Sequence, residues 1–166
     1  MKKKNLIIIT IAVIAAAVGA FSLFLTPDNE QAASDEPQVK SATNENGDIV
    51  IPVEDITEEP AFYSYDELDS KMEVIAVKAS DGSIRTAFNT CQVCYSSGRG
   101  YYIQEGDELV CQNCGNRFTM DQVETVAGGC NPVPILREYK EVTDESITIT
   151  KEFLQEAEII FKNWKI

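Results

Sequence analysis

CQVCYSSGRGYYIQEGDELVCQNCGNRFTMDQVETVAGGCNPVP, residues 91–134, contains all five cysteines of the chain. Four of them form two Cys-x-x-Cys pairs separated by sixteen residues, Cys91 with Cys94 and Cys111 with Cys114. A Cys-x-x-Cys turn can point two sulfurs at one ion, and paired turns at this spacing are typical of a four-thiolate metal site. The residues between the pairs predict a β-hairpin with its turn at residues 105–107, which would bring the second pair to the first.

The fifth cysteine, Cys130, follows Gly128-Gly129 and precedes Asn131-Pro132. The glycines permit a positive φ or a close approach of the backbone. Four roles are open for this thiol: a small buried apolar residue, a replacement for one of the four ligands, a ligand of a second metal, or a resolving thiol. Cys130 is therefore a candidate cofactor-binding residue together with Cys91, Cys94, Cys111 and Cys114.

The chain contains no histidine, and this excludes several classes of site. Haem attachment at Cys-x-x-Cys-His, histidine-ligated zinc, a true Rieske histidine pair, and Ser-His or Cys-His catalysis all need an imidazole. Four interpretations of the cysteines remain: a structural zinc site, a pair of disulfides, a thiol–disulfide exchanger, and an iron–sulfur cluster. The exchanger needs a helix after its motif, and the sequence SSGRG at 96–100 disfavours one. Spacing alone does not separate zinc from iron.

The formal net charge is −13. A surface this acidic repels the phosphates of DNA and RNA, because like charges oppose association at long range. We therefore expect no nucleic-acid partner. The charge makes no statement about the fold, but it limits the class of molecule that the protein binds.

An uncharged segment, residues 5–25, follows three lysines at the N-terminus. It is long enough to cross about 30 Å of hydrocarbon as a helix, so we predict a transmembrane signal anchor over residues 1–25. A signal peptide cleaved after Ala17 or Ala20 is the alternative. The lysines favour a cytoplasmic N-terminus, which predicts a single-pass protein of the cell membrane with an extracytoplasmic C-terminal domain. Residues 26–48 are acidic and poor in apolar side chains, and they predict a disordered linker.

Residues 49–166 predict one domain that is mostly β. Strands are expected over 49–53, 61–65, 72–78, 84–89 and 146–149, with a hairpin turn at 80–83. Pro52 predicts an edge position for the first strand, because proline cannot donate to a central ladder. From Thr150 onward the apolar residues recur with helical periodicity, which predicts an amphipathic C-terminal helix capped by Thr150. The expected fold is a small β-sandwich or zinc ribbon, or a domain with Rieske-like cysteine loops, that ends in an α-helix and follows one transmembrane helix.

Three stretches around the cysteines resemble the membrane iron–sulfur-containing FtrD-like family: TCQVCYSSGRGYY at 90–102, GDELVCQNCGNRF at 106–118 and VAGGCNPVPI at 126–135. The resemblance covers roughly residues 56–166, and it includes several positions besides the cysteines. It implies an N-terminal membrane part, an extracytoplasmic cysteine domain that binds an iron–sulfur cluster, and an association with the transport of iron or another metal.

A second resemblance is architectural. The patterns Cys111-x-x-Cys114-Gly115-x-x-Phe118 and Gly128-Gly129-Cys130-Asn131-Pro132-Val133-Pro134-Ile135 are similar to the cluster-binding part of Rieske proteins. Cys94 and Cys114 stand where that resemblance places the two histidines. Replacing two imidazoles by thiolates adds negative charge, so a cluster held here is expected to have a low reduction potential.

These observations together predict a membrane-anchored, extracytoplasmic iron–sulfur protein that transfers electrons or handles metal for an iron or metal transport system. A carrier of this kind is not an enzyme, and its expected partner is a membrane transport or redox protein. Two alternatives stay open. The first is a structural zinc-ribbon-like module that binds a membrane partner, and the second is a thiol–disulfide oxidoreductase.

Overall fold

A computed structural model of the protein describes residues 39–126 and 128–166. Eleven strands and one α-helix lie within these ranges. The strands are β1 (Val39–Ser41), β2 (Ile49–Pro52), β3 (Ala61–Tyr65), β4 (Met72–Lys78), β5 (Ile84–Cys91), β6 (Tyr102–Glu105), β7 (Glu108–Cys111), β8 (Arg117–Thr119), β9 (Pro132–Pro134), β10 (Glu141–Val142) and β11 (Ser146–Ile149). The helix is α1 (Lys151–Ala157), and a 3₁₀ turn over Glu158–Phe161 continues it.

The strands form three sheets. The largest has the order β1-β3-β4-β5-β9, in which β1 is parallel to β3 and every other pair is antiparallel. The other two are antiparallel and have the orders β10-β11-β2 and β6-β7-β8. The predicted mostly-β fold with a C-terminal helix is therefore confirmed at this level.

The central strand β4 is buried on both faces, which is why it reads as a nearly continuous apolar run, MEVIAVK. Successive side chains of a strand point to opposite faces. Val74 and Ala76 accordingly join a core that contains residues of β2, β11 and the C-terminal helix. Ile75 and Val77 join a second core that contains Tyr102, Leu109 and three of the cysteines. One face of the large sheet thus packs against the cysteine-bearing sheet β6-β7-β8, and the opposite face packs against β2, β11 and the C-terminal helix.

The C-terminal helix closes the first core. Leu154 and Phe161 are buried there, and Phe161 packs edge-on against Phe88 of β5. The Thr150 hydroxyl accepts a hydrogen bond from the Phe153 amide, as expected of an N-cap residue. The predicted cap and the apolar face are confirmed, although α-helical geometry ends at Ala157, earlier than the apolar periodicity suggested.

Both predicted hairpins are present at the predicted positions. β4 and β5 pair across the turn at 80–83, and β6 and β7 pair across the turn at 105–107. β5 extends two residues past its predicted end and includes Cys91. β2 lies at the edge of its sheet, as Pro52 predicted.

The predicted linker over residues 26–48 is wrong in its C-terminal part, because Val39–Ser41 forms β1 and pairs with β3. This pairing uses backbone hydrogen bonds, which do not depend on apolar side chains. Asn44 then folds the chain toward β2, since its side-chain oxygen accepts from the Asn46 and Asp48 amides. The predicted transmembrane helix of residues 1–25 and the rest of the linker lie outside the described residues. Within the described ranges, every helix is too short or too polar to traverse a bilayer.

We expect Leu154→Ala to lower the free energy of unfolding by about 2–5 kcal/mol, because it leaves a cavity under the helix in the first core. Ile159→Ala is the control, since Ile159 is mostly exposed and its truncation should change stability by less than about 0.5 kcal/mol. Denaturant unfolding of the full chain in detergent, followed by circular dichroism, measures both. Equal effects of the two substitutions would contradict the packing of α1 described above.

Candidate metal centre

Two hairpins and one loop deliver the five cysteines to one region. The β4–β5 hairpin ends at Cys91, and the β6–β7 hairpin ends at Cys111. Cys130 lies in the loop before the short strand β9, separated from it by Asn131, and β9 pairs with β5. The register between β5 and β9 shifts between Phe88 and Cys91, and such bulges re-aim the chain next to functional sites. Rigid strands therefore place the first cysteine of each pair.

The sulfur atoms form two overlapping groups. The Sγ atoms of Cys91, Cys94 and Cys130 lie within 4.8 Å of one another, and so do those of Cys94, Cys111 and Cys114. Cys94 belongs to both groups, and its sulfur lies 3.8 Å from that of Cys130. The structure thus brings together all five predicted residues, and each group has the spacing of a set that could hold a metal ion.

Backbone amides point at the first sulfur of each turn. The Cys94 amide lies 3.2 Å from Cys91 Sγ. Burial opposes ionisation of Cys91, but hydrogen bonds from the Cys94 and Val93 amides outweigh it, with a smaller effect of the Tyr102 hydroxyl beside the sulfur, and they lower the pKa of this thiol. Partial desolvation opposes ionisation of the exposed Cys114, but the Asn116 amide and neighbouring thiols outweigh it and lower the pKa of this thiol. Such hydrogen bonds favour the thiolate form that metals bind.

The remaining three thiols resist ionisation. Burial raises the pKa of Cys94, and it raises that of Cys111 to about 12 although two backbone amides oppose the shift. Cys130 donates to Cys114 and is also desolvated, so its pKa is raised. Several thiolates cannot coexist in so small a volume unless a cation balances them. The donor set therefore fits a thiophilic metal or a metal–sulfur cluster, and a bound cation would reverse the direction of these shifts.

Tyr102 forms one wall of the site. It is fully buried, its hydroxyl donates to the Cys130 carbonyl oxygen, and it also lies beside Cys91 Sγ. Asn89 holds the Tyr102 backbone, because its side chain accepts from the Tyr102 amide at 2.7 Å and donates to the Tyr102 carbonyl at 3.2 Å. The role of Asn89 was not predicted. Asn89 carried a signal, since a polar residue inside a buried strand needs hydrogen-bond partners.

Gln92 and Asn131 join the loop of Cys130 to the first Cys-x-x-Cys turn. The Gln92 amide donates to the Asn131 carbonyl at 3.1 Å, and the Gln92 side chain accepts from the Gly128 amide at 3.0 Å. Gly128 and Gly129 both have positive φ, as their place before Cys130 predicted. The loop is therefore fixed against the site on both sides of the fifth thiol.

Position 100 requires glycine because the Cys94 backbone approaches its Cα closely, and not because of a positive φ. A Cβ atom here would lie 2.4 Å from the Cys94 carbonyl oxygen. The same residue accepts a hydrogen bond from the Cys91 amide through its own carbonyl, at 2.6 Å. Gly100 thus closes the first Cys-x-x-Cys turn against the start of the second hairpin.

The structure also bears on two of the alternatives. All five cysteines are free thiols, so the two-disulfide arrangement is not the one observed. Cys94 is followed by a 3₁₀ turn, Tyr95–Ser97, that ends at Gly98 with φ of 78°. An exchanger of the strand–motif–helix type needs an α-helix at this place.

A family model described as "Membrane iron-sulfur containing protein FtrD-like" matches residues 53–161. The match includes every cysteine and extends from the residue after β2 to the end of the 3₁₀ turn that continues α1. No curated protein and no solved structure matches the chain. The resemblance of the cysteine loops to Rieske proteins therefore stays a prediction.

We expect Gly100→Ala to lower the metal content of the purified protein at least several-fold, because the added Cβ displaces the Cys94 carbonyl and with it the thiol shared by both groups. Gly82→Ala is the matched control. Gly82 also has an unusual backbone, with φ of 81°, but a Cβ there meets no atom within 4 Å. The control should lose roughly 1–2 kcal/mol of stability and keep its metal. Metal analysis of both variants decides, and equal metal contents would refute the role of Gly100.

Proposed function

Because the chain belongs to the FtrD-like family of membrane iron–sulfur proteins, we propose that it holds an iron–sulfur cluster and carries electrons. The ligands would be Cys91, Cys94, Cys111 and Cys114. The observation that carries this proposal is the pair of three-thiol groups that share Cys94. Four thiolates are the usual ligands of such clusters, and when bound the cluster supplies reversible one-electron chemistry.

The chain's own residues set the conditions for that chemistry. The Cys94, Val93 and Asn116 amides donate toward thiol sulfurs, and they would stabilise the negative charge that accumulates on reduction. Cys91, Cys94 and Cys111 are buried, which limits the access of water. Cys114 is exposed, so one edge of the site reaches the surface. These features support electron transfer through the Cys114 side.

Cys130 lines the same site without being needed to complete four ligands. Its sulfur lies 3.8 Å from that of Cys94, and its carbonyl oxygen accepts from Tyr102. We assign the four paired cysteines as metal ligands and Cys130 as an adjacent thiol that contacts the bound group. This assignment follows the pairing of the other four in Cys-x-x-Cys turns.

We infer the cellular setting from the N-terminal sequence together with the family. Three lysines followed by an uncharged segment support a single-pass anchor with the cysteine domain outside the cytoplasm. In that setting the protein would serve a membrane transport system for iron or another metal, or a membrane redox protein. It would act as a carrier with no bond-making step of its own.

The test is to prepare the full chain in detergent without air and to measure its visible absorption spectrum, iron and acid-labile sulfide on one sample. We expect charge-transfer bands that bleach with dithionite, together with bound iron and sulfide. Cys94→Ser should lose both, since Cys94 belongs to both sulfur groups, whereas Cys130→Ser should keep iron.

Two outcomes would overturn the proposal. A colourless protein with zinc and no sulfide would make the chain a structural zinc module that binds a membrane partner. A metal-free protein with a reactive thiol of low pKa would instead favour a thiol–disulfide oxidoreductase.

We expect Tyr102→Phe to lower the reduction potential by about 20–60 mV, the equivalent of one lost hydrogen bond of ~0.5–1.5 kcal/mol in a one-electron couple. The sign follows because the hydroxyl, when it turns its single proton from the Cys130 carbonyl oxygen to Cys91 Sγ, stabilises the more negative, reduced state. The matched control is Tyr95→Phe, since Tyr95 is exposed and follows Cys94 directly. Potentiometric titration measures both. A rise in potential, or equal shifts in the two variants, would contradict this role for Tyr102.

A further inference from the structure

Glu73 of β4 is a buried carboxylate to which the metal centre described above gives no role. Its side chain is 4% exposed, and among the described residues Glu73 is the only acidic residue that is buried. A buried carboxylate costs free energy unless donors and a cation satisfy it. The Asn89 side chain donates to one of its oxygens, and Lys165 Nζ lies 3.4 Å from the other. Because Asn89 also holds the Tyr102 backbone, Glu73 is one residue away from the wall of the site.

Glu73 fixes the orientation of the Asn89 side-chain amide. A carboxylate only accepts hydrogen bonds, so it selects the nitrogen end of that amide. The oxygen end is then directed to Tyr102, whose backbone amide donates to it at 2.7 Å. The nitrogen also donates to the Tyr102 carbonyl at 3.2 Å. The carboxylate of Glu73 therefore determines the two hydrogen bonds that hold Tyr102 beside Cys91.

Lys165 is held in place by aromatic rings as well as by Glu73. Its ammonium group lies 4.3 Å from the centroid of the Trp164 ring and 5.2 Å from that of the Tyr101 ring. A cation above an aromatic ring is attracted to it. The backbone of Lys165 has φ of 55°, a left-handed conformation that is unfavourable for a residue other than glycine. The contacts of the side chain offset this cost.

The neighbours of Lys165 contact the chain on both sides of the first Cys-x-x-Cys turn. The Trp164 indole donates to the Asn89 carbonyl at 2.6 Å, just before that turn. The Asn163 side chain donates to the Ser96 carbonyl at 3.2 Å, just after it. One short segment of the chain thus bonds to both ends of the turn that carries the first two thiols.

The backbone of this segment also packs on the 3₁₀ turn that follows Cys94. A Cβ atom added at Gly98 would lie 3.2 Å from the carbonyl oxygens of Asn163 and Ile166. Packing this close leaves little room for the turn to move. We call residues 163–166 the C-terminal clamp, because they contact β5 before the first Cys-x-x-Cys turn and the chain after it.

We propose that Lys165 and Glu73 are positioning residues of the metal centre, and that their ion pair closes the C-terminal clamp on the first Cys-x-x-Cys turn and sets the reduction potential of the bound group. The part that concerns the potential rests on the proposed electron-carrier function. Reduction adds negative charge at the site, so a buried carboxylate nearby opposes it and an ammonium group favours it. Both residues act through Asn89 and Tyr102 and not as ligands.

The first experiment is a potentiometric titration of the full chain, prepared in detergent without air. We expect Glu73→Gln to raise the potential, because it removes the buried negative charge and keeps an oxygen that accepts from Asn89. Lys165→Met should lower the potential, because the carboxylate loses its cation. Each shift should correspond to a change of about threefold or more in the equilibrium constant for reduction.

Two further variants serve as controls for the titration. Lys165→Arg keeps the charge, so the equilibrium constant should stay within about twofold of that of the unsubstituted chain. Lys162→Met removes the same charge from an exposed lysine three residues earlier, and it should also change the constant by less than about twofold.

A second measurement does not depend on reduction. Amide hydrogen exchange of the full chain in detergent reports local opening. We expect Lys165→Met to speed exchange of the Ser97 and Tyr102 amides by about threefold or more, because the first lies in the turn held by the clamp and the second bonds to the Asn89 side chain. Lys162→Met should leave both unchanged. The Ala79 amide, which is bonded within the β4–β5 turn, is the internal reference.

Each contrary outcome has a separate meaning. Shifts of the same sign in Glu73→Gln and Lys165→Met, or an equal shift in Lys162→Met, would overturn the electrostatic role. Faster exchange at every amide, Ala79 included, with an unchanged potential would show that the ion pair only stabilises the fold, and this too would overturn the proposal. Absence of any reducible centre would refute the proposed function and the setting of its potential, whereas hydrogen exchange would still decide whether the clamp holds the turn.

Discussion

The approach of five cysteine sulfurs to one another is the constraint on which the remaining structure depends. Burial raises the pKa of Cys94 and Cys111, so thiolates in this volume need both hydrogen-bond donors and a cation. Backbone amides supply the hydrogen-bond donors, because a Cys-x-x-Cys turn directs its amides at the first sulfur, as the Cys94 amide does at Cys91 Sγ. The cation that balances the thiolates would be a bound metal. A site built in this way gains its stability when the metal binds.

Asn89 connects this site to both layers of the domain. Its side chain holds the Tyr102 backbone, and its carbonyl accepts from the Trp164 indole at 2.6 Å. Trp164 packs edge-on against Phe161, which closes the core on the other face of the large sheet. A single residue of β5 therefore links the C-terminal segment to the wall of the metal centre. This arrangement explains why a polar residue occupies a buried strand next to Cys91.

Much of the fold could be predicted because its decisive contacts are local. The hairpins β4–β5 and β6–β7, the edge position of β2 and the Thr150 cap all follow from residues a few positions apart. β1 could not be predicted, since its pairing uses backbone groups that any sequence provides. The convergence of the five cysteines was predictable from spacing. The hydroxyl of Tyr102 beside Cys91 was not, because only the packing of β6 against β5 selects it over Tyr101.

The distribution of acidic residues reflects a physical demand on the cysteine-bearing loops, since residues 91–100, 111–116 and 125–134 lack Asp and Glu. Electrostatic repulsion removes carboxylates from the neighbourhood of the thiols, and it acts on buried and exposed positions alike. That demand alone would be met by any neutral side chain. Ser96, Ser97, Asn113 and Asn116 meet it at exposed positions of these loops. The composition of the cysteine-bearing loops therefore follows from the charge of the thiolates that they hold.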